Sequence, residues 1–251
     1  MRIILINRKR TIRILLLSVF MILGISFMSR SISIPSLVRT PGTYYMVNTQ
    51  EKVVALTFDD GPDPNYTGFV LDVLAEKNVK ATFFVLGENA QHYPELLSQI
   101  KAEGHEIGNH GYSHTYNTNQ FVKELAKTDQ VIFDLLQQHT YFYRPPGGFV
   151  SKEVIQGVKE KGYLLTLWSI DSKDWRNPGV TRIAETVVEN VSPGAIILLH
   201  DGGAKREQTV GALKAIIDRL GNEGYRFVTL TELQHFEERN PIPTLQEKNK
   251  R

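Results

Sequence analysis

KVVALTF (residues 52–58), followed at once by DDGPDPN (residues 59–65), decides how the chain is read. The first stretch is a continuous apolar run of strand length, and the second is a cluster of turn formers. Together they describe a strand buried on both faces that stops abruptly. Outward from it the same punctuation repeats. Helical spacing over 67–77 puts Val70, Leu71 and Leu74 on one face, and a strand-like run covers 81–86. A helix opened by Pro94 and ended by Gly104 comes next, then a short strand over 105–109, a long amphipathic helix over 119–138 and a short strand over 142–144. Beyond these lie a helix ended by Gly162, a strand over 163–170, a helix over 181–191, the very apolar strand Ala195–His200, a helix ended by Gly224 and a last strand over 225–228. Seven strands alternating with helices predict a parallel sheet covered by helices, an α/β fold of the barrel or nearly closed barrel type.

The chain of 251 residues suits one domain with appendages, and its 41% hydrophobic content excludes bulk disorder. It has no cysteine, which excludes disulfides, thiolate metal ligands and a cysteine nucleophile. The net charge of +2 is unevenly spread: seven of the 29 basic residues and no acid lie in residues 1–39, leaving 22 basic against 27 acidic residues. The mildly acidic body offers no basic face for nucleic acid. Arg8, Lys9, Arg10 and Arg13 precede an uncharged apolar run of 15 residues, 14–28, short of the roughly 20 a full span needs. Residues 1–28 therefore read as a signal peptide or membrane anchor, the anchor favoured, with the body exported. Residues 29–42 read as a linker, 43–236 as the catalytic domain and 237–251 as a charged tail.

Polar residues collect in one kind of place. Asp59 and Asp60 follow the first strand and His110 and His114 the third. Arg144 ends the fourth, Asp171 and Asp174 follow the fifth, and His200 ends the sixth. C-terminal strand ends of a parallel barrel share one face, so these residues are expected in one pocket. In HGYSH (110–114) two imidazoles four apart can face the same way on a helical turn and bind one metal, with Asp60 completing the set. Asp59 and Asp60 project differently, so one can ligate while the other takes a proton; a plain Asp-Gly turn ahead of Pro62 is the alternative. Arg144 can pair with a buried Asp and hold it ionised, and Gly147 and Gly148 allow close backbone approach, where a free N–H can stabilise an oxyanion. Asp174 can orient His200 as a general acid; a hydrogen-bonded core histidine is the alternative for His200.

TFDDGPD (57–63), NHGYSH (109–114), RPPGG (144–148), DSKDW (171–175) and LLH (198–200), in this order, resemble the polysaccharide deacetylase family, carbohydrate esterase family 4 with its NodB-homology domain, over about residues 50–235. The resemblance implies a distorted (β/α) barrel. It also implies a metal-dependent hydrolase that removes N-acetyl groups from a cell-envelope polysaccharide, peptidoglycan first, with chitooligosaccharide or poly-N-acetylglucosamine as alternatives. Asp59 would be the catalytic base, braced by Arg144. Asp60, His110 and His114 would hold one divalent ion, zinc or else cobalt or another, and Asp174 would tune His200 as catalytic acid. Pro146, Gly147, Trp175 and Leu198 would meet the substrate, Trp175 and Leu198 lining the acetyl pocket. At Gly147 many members carry an aromatic residue; here the backbone N–H survives and the side-chain wall of the groove does not.

Other chemistries fit less well. HEIGN (105–109) lacks the second histidine of H-E-x-x-H, no G-x-S-x-G occurs, and Gly202-Gly203-Ala204-Lys205 is no phosphate loop. A non-catalytic glycan-binding relic would have lost the base or a ligand, and all those positions are filled. His92, His105, His139 and His235 are given no role. The expected partner is the N-acetylated polysaccharide itself, with the membrane added if the N-terminal segment stays uncleaved and no protein partner inferred.

Overall fold

The computed structural model describes residues 42–237, apart from residue 118. The predicted leader or anchor, all but the last residue of the linker and nearly all of the charged tail lie outside the described residues. In chain order the elements are β1 (Val53–Asp59), α1 (Thr67–Glu76), β2 (Thr82–Val85), α2 (Gly87–His92), α3 (Pro94–Ala102), β3 (Glu106–Asn109), α4 (Phe121–Leu136) and β4 (Phe142–Tyr143). They continue with α5 (Lys152–Glu160), β5 (Leu164–Leu165), β6 (Ile170–Asp171), α6 (Val180–Val188), β7 (Ala195–His200), α7 (Glu207–Asn222), β8 (Arg226–Phe227) and α8 (Leu230–Gln234). Helices α2 and α8 were not among the predicted elements; both are short, and α8 is held by a capping box between Thr229 and Glu232. The predicted glycine stops hold: Gly104, Gly162 and Gly224 sit at positive φ just past α3, α5 and α7.

Every strand pair is parallel, in the order β5-β4-β3-β2-β1-β7-β6. Strand β8 pairs with the first residues of β1, on the edge that β2 takes over from Thr57. The outer strands β5 and β6 are the two ends of one stretch, 164–171, so the chain itself spans the gap between the sheet's edges. This is the expected distorted (β/α) barrel. The predicted single strand over 163–170 is broken for a visible reason: the carbonyls of Thr166 and Leu167 accept hydrogen bonds from the Arg144 side chain at 3.4 and 2.9 Å. The Leu167 N–H donates to Tyr44, whose own N–H donates to Leu165.

All seven residues of β1 are buried. Val54, Leu56 and Phe58 join the core packed beneath the helices, with Ile197 and Leu199 of β7. By the two-residue period of a strand, Thr57 and Asp59 of β1, and Leu198 and His200 of β7, turn to the opposite face, into the barrel. The register pairs Thr57 with Leu198 and Asp59 with His200.

Candidate active site

At the C-terminal end of β1, Asp59 is 3% exposed and Arg144 is fully buried. Arg144 Nη1 donates to Asp59 Oδ1 at 2.7 Å and to Thr57 Oγ1 at 2.9 Å. The guanidinium packs over Phe84, 4.1 Å from the ring centroid, and near Trp168. A buried cation is tolerated only when its donors are met, and the acceptors here are one carboxylate, one hydroxyl and two carbonyls. The Asp59 carboxylate is thereby paired and fixed in orientation.

Asp60, the next residue, takes φ 74°, a left-handed turn that swings its carboxylate away from that of Asp59. Its Oδ1 lies 3.3 Å from His110 Nε2 and 3.2 Å from His114 Nε2. His110 Nδ1 is 2.8 Å from the Arg144 carbonyl oxygen, so the ring donates there and Nε2 carries the lone pair. Asp60 Oδ1 is buried with no hydrogen-bond partner. A buried carboxylate oxygen and two imidazole nitrogens turned toward one another, at 3.2–3.3 Å, are an arrangement that a metal ion satisfies. Ligand atoms of Asp60, His110 and His114 all lie within 4.8 Å of one another, and no other such group occurs among the described residues. A carboxylate with two imidazole nitrogens is a donor set for a divalent cation, with room left for further ligands.

The two histidines are not on the helical turn that their spacing allowed. Residues 110–117 form a loop, turned by Gly111 at φ 82° and His114 at φ 55°. Glu124 of α4 holds that loop, its Oε2 accepting from the N–H groups of Tyr112 (3.0 Å) and Ser113 (2.7 Å).

His200 Nδ1 lies 2.8 Å from Asp174 Oδ1. Asp174 Oδ2 accepts from the His200 N–H and from Thr209 Oγ1, both at 2.8 Å. Burial disfavours the His200 imidazolium. Asp174, with Asp59 and Asp60 adding, outweighs it, and the pKa is pushed up to about 8.

The remaining predicted residues surround this cluster unevenly. Leu198 is buried on the inward face of β7, while Trp175 is 44% exposed with its Nε1 3.3 Å from Asp171 Oδ1. Pro146 and Gly147 lie in a single 3₁₀ turn just past β4, Gly147 at φ 64°. The hollow lined by Gly111, Tyr116, Phe121, Pro146, Phe149 and Val154 lies beside the cluster, not on it, and holds none of its acids or histidines other than through neighbours in sequence. Three further residues went unnoticed in the sequence. Thr57 shares Arg144, and Glu124 ties the histidine loop. Asp201, fully buried, accepts from Thr67 Oγ1 at 2.6 Å and crowds Gly61, where a Cβ would lie 2.3 Å from its Oδ2. Burial, with Asp60 and Asp59 adding, pushes the Asp201 carboxyl up to about 7.

Asp59, paired with Arg144, beside a metal-competent acid–imidazole set, with a histidine oriented by Asp174 across the strand pair, is the equipment of a hydrolase. A sequence profile of the polysaccharide deacetylase family matches residues 46–166. A peptidoglycan-N-acetylglucosamine deacetylase of Bacillus cereus is 45% identical over 195 residues, 76% of this chain and 92% of that protein. A chitooligosaccharide deacetylase of Rhizobium leguminosarum bv. trifolii is 36% identical over 199 residues, 73% of this chain and 93% of that one. Among solved structures, the Bc1960 peptidoglycan N-acetylglucosamine deacetylase matches with a TM-score of 0.75 at 37% identity, over 79% of this chain and 95% of that one. The chain belongs to the polysaccharide deacetylase family, whose members are amide hydrolases.

Proposed function

We propose that this protein removes N-acetyl groups from N-acetylglucosamine or N-acetylmuramic acid units of a cell-envelope polysaccharide, peptidoglycan first. The observation that carries the reading is the convergence of Asp59, Asp60, His110, His114 and His200, drawn from three strand ends, on one barrel rim. The 45% identity to a peptidoglycan-N-acetylglucosamine deacetylase supports the substrate. The chitooligosaccharide deacetylase among the relatives supports a β-linked N-acetylglucosamine oligosaccharide as the second reading.

Asp60, His110 and His114 would hold the divalent ion, zinc by preference for a mixed nitrogen and oxygen set, with cobalt or another divalent ion as alternatives. Such an ion polarises an amide carbonyl and acidifies water. Asp59, oriented by Arg144, takes the proton from the attacking water as the new C–O bond forms. The Gly147 N–H donates to the oxygen that gains charge. His200, protonated through its pairing with Asp174, gives its proton to the departing nitrogen as the C–N bond breaks. Acetate and a free sugar amine result. Trp175 and Leu198 line the pocket of the acetyl group, and Pro146 meets the sugar. We read residues 1–28 as an export signal or anchor that places this rim on the outer side of the cytoplasmic membrane or in the cell wall.

The purified chain should release acetate from peptidoglycan and from N-acetylglucosamine oligosaccharides. Chelator should stop the release and zinc should restore it. No release from any N-acetylated glycan, with metal bound, would overturn the reading.

A further inference from the structure

Two large apolar rings stand in solvent next to this rim and take no part in the chemistry above. Tyr116 is 61% exposed and Phe149 is 56% exposed. Single exposed apolar side chains are ordinary, but these two touch, edge to face, with centroids 5.6 Å apart and planes at 87°. Tyr116 also stands edge to face on His114, 5.2 Å away, so a row of rings runs outward from the acid–imidazole set. Both lean over the bare backbone of Gly147, where an added Cβ would lie 2.9 Å from each ring. Behind them is the hollow floored by Pro146 and Val154. Its one acid, Glu124, is committed to the backbone of Tyr112 and Ser113. The lining is therefore largely aromatic, with Thr115 and Asn117 as neutral polar groups, and none of its residues offers a free charge.

An aromatic face with negative character accepts the C–H face of a sugar ring, and a neutral surface suits a neutral sugar. We propose that Tyr116 and Phe149 form a sugar-stacking subsite holding the unit next to the one whose acetamide reaches Asp60, His110 and His114. This rests on the functional reading above, since it takes the glycan strand as the ligand. The rings would then set the preference for oligomeric over monomeric substrate.

The test is binding of the β-1,4-linked N-acetylglucosamine tetramer to the zinc-loaded Asp59→Asn chain, by calorimetry. Tyr116→Ala and Phe149→Ala, each added to that background, should weaken binding about tenfold, the scale of one lost aromatic contact. Tyr116→Phe, which keeps the ring, should hold the parent's affinity. In the otherwise native chain the two alanine variants should raise KM for tetramer deacetylation more than they lower kcat. Unchanged affinity in both alanine variants, in a chain that still releases acetate from the tetramer, would overturn the subsite alone and assign the rings to some other contact. A native chain that neither binds nor deacetylates any N-acetylated glycan would overturn the functional reading and the subsite together.

Discussion

The rim and the floor of the barrel both bury polar groups, and they treat them in opposite ways. On the floor, Glu106 at the start of β3 accepts from Thr82 Oγ1 at 2.7 Å and from the Leu230 and Thr231 N–H groups at 2.9 and 3.3 Å, with the Thr231 hydroxyl on its other oxygen. That carboxylate is saturated, and its effect is to fasten α8 under the sheet. At the rim, Asp60 Oδ1 has no hydrogen-bond donor and faces two imidazole nitrogens. His105 on the floor also keeps an open ring nitrogen, with the Glu103 carboxylate 3.9 Å from it, but among the described residues no third ligand converges there. Satisfied polar groups hold a fold together, while groups left open in company are set up for a ligand.

The sharpest way to break this contrast is at Asp59. Asp59→Asn should lower turnover about a thousandfold, the scale of a lost general base, with zinc content unchanged. His110→Ala should instead lose the metal, read by elemental analysis. Retained turnover in the first or retained zinc in the second would remove the rim from the reaction. Asp174→Asn comes next, at roughly a hundredfold in kcat. His200 holds its proton up to about pH 8 because of Asp174. A raised pKa means that the donor is present below that value and lost above it. Without the Asp174 charge the alkaline limb of the rate profile should move to lower pH. An unmoved limb would mean that His200 is not the acid. On the floor, Glu106→Ala should lower the unfolding free energy by about 1–2 kcal/mol, since the buried Thr82 hydroxyl loses its acceptor and α8 loses its bonds to the sheet. Its kcat/KM at a temperature well below melting should match the parent's. A rate loss there would show that floor and rim are not separable.

Much of this was legible before the fold was known. The rim residues announce themselves because each is a polar interruption right after an apolar run, at Asp59, Arg144 and His200. The barrel was legible for the same reason, in alternation and in glycine stops. What sequence spacing misread was local. His110 and His114, four apart, fit a helical turn, and a loop tied by Glu124 does the work instead. Glu124 itself looked like any acid on the polar face of an amphipathic helix. The break of the fifth strand could not be read from residues 163–170, because its cause is the guanidinium of Arg144. Asp201, right after LLH, carries no sequence signal of its own; only tertiary packing against Thr67 and Gly61 sets it apart.

The most specific effect lies at His105, the floor histidine that resembles a rim residue in its open ring nitrogen. The Ala81 N–H donates to its Nδ1 at 3.2 Å, which fixes a neutral ring with the proton on Nε2. The ring is 4% exposed and meets Phe83 edge-on at 5.4 Å. Burial, with Lys80 adding and Glu103 opposing, pushes its pKa from 6.5 down to about 4. Between those two values the unfolded chain binds more protons than the native one, so stability rises with pH and is lost as pH falls through the window. The full contribution is about 3 kcal/mol at most. His105→Gln cannot take up that proton. Urea unfolding of parent and variant should therefore give a stability gap that narrows, or reverses, as pH drops from neutrality to the lower end of the window. Other carboxylates titrate in both proteins and cancel in the difference. Parallel curves would mean that the floor histidine is hydrated and titrates freely. The floor would then be as open as the rim, and the contrast between them would rest on the convergence of ligands alone.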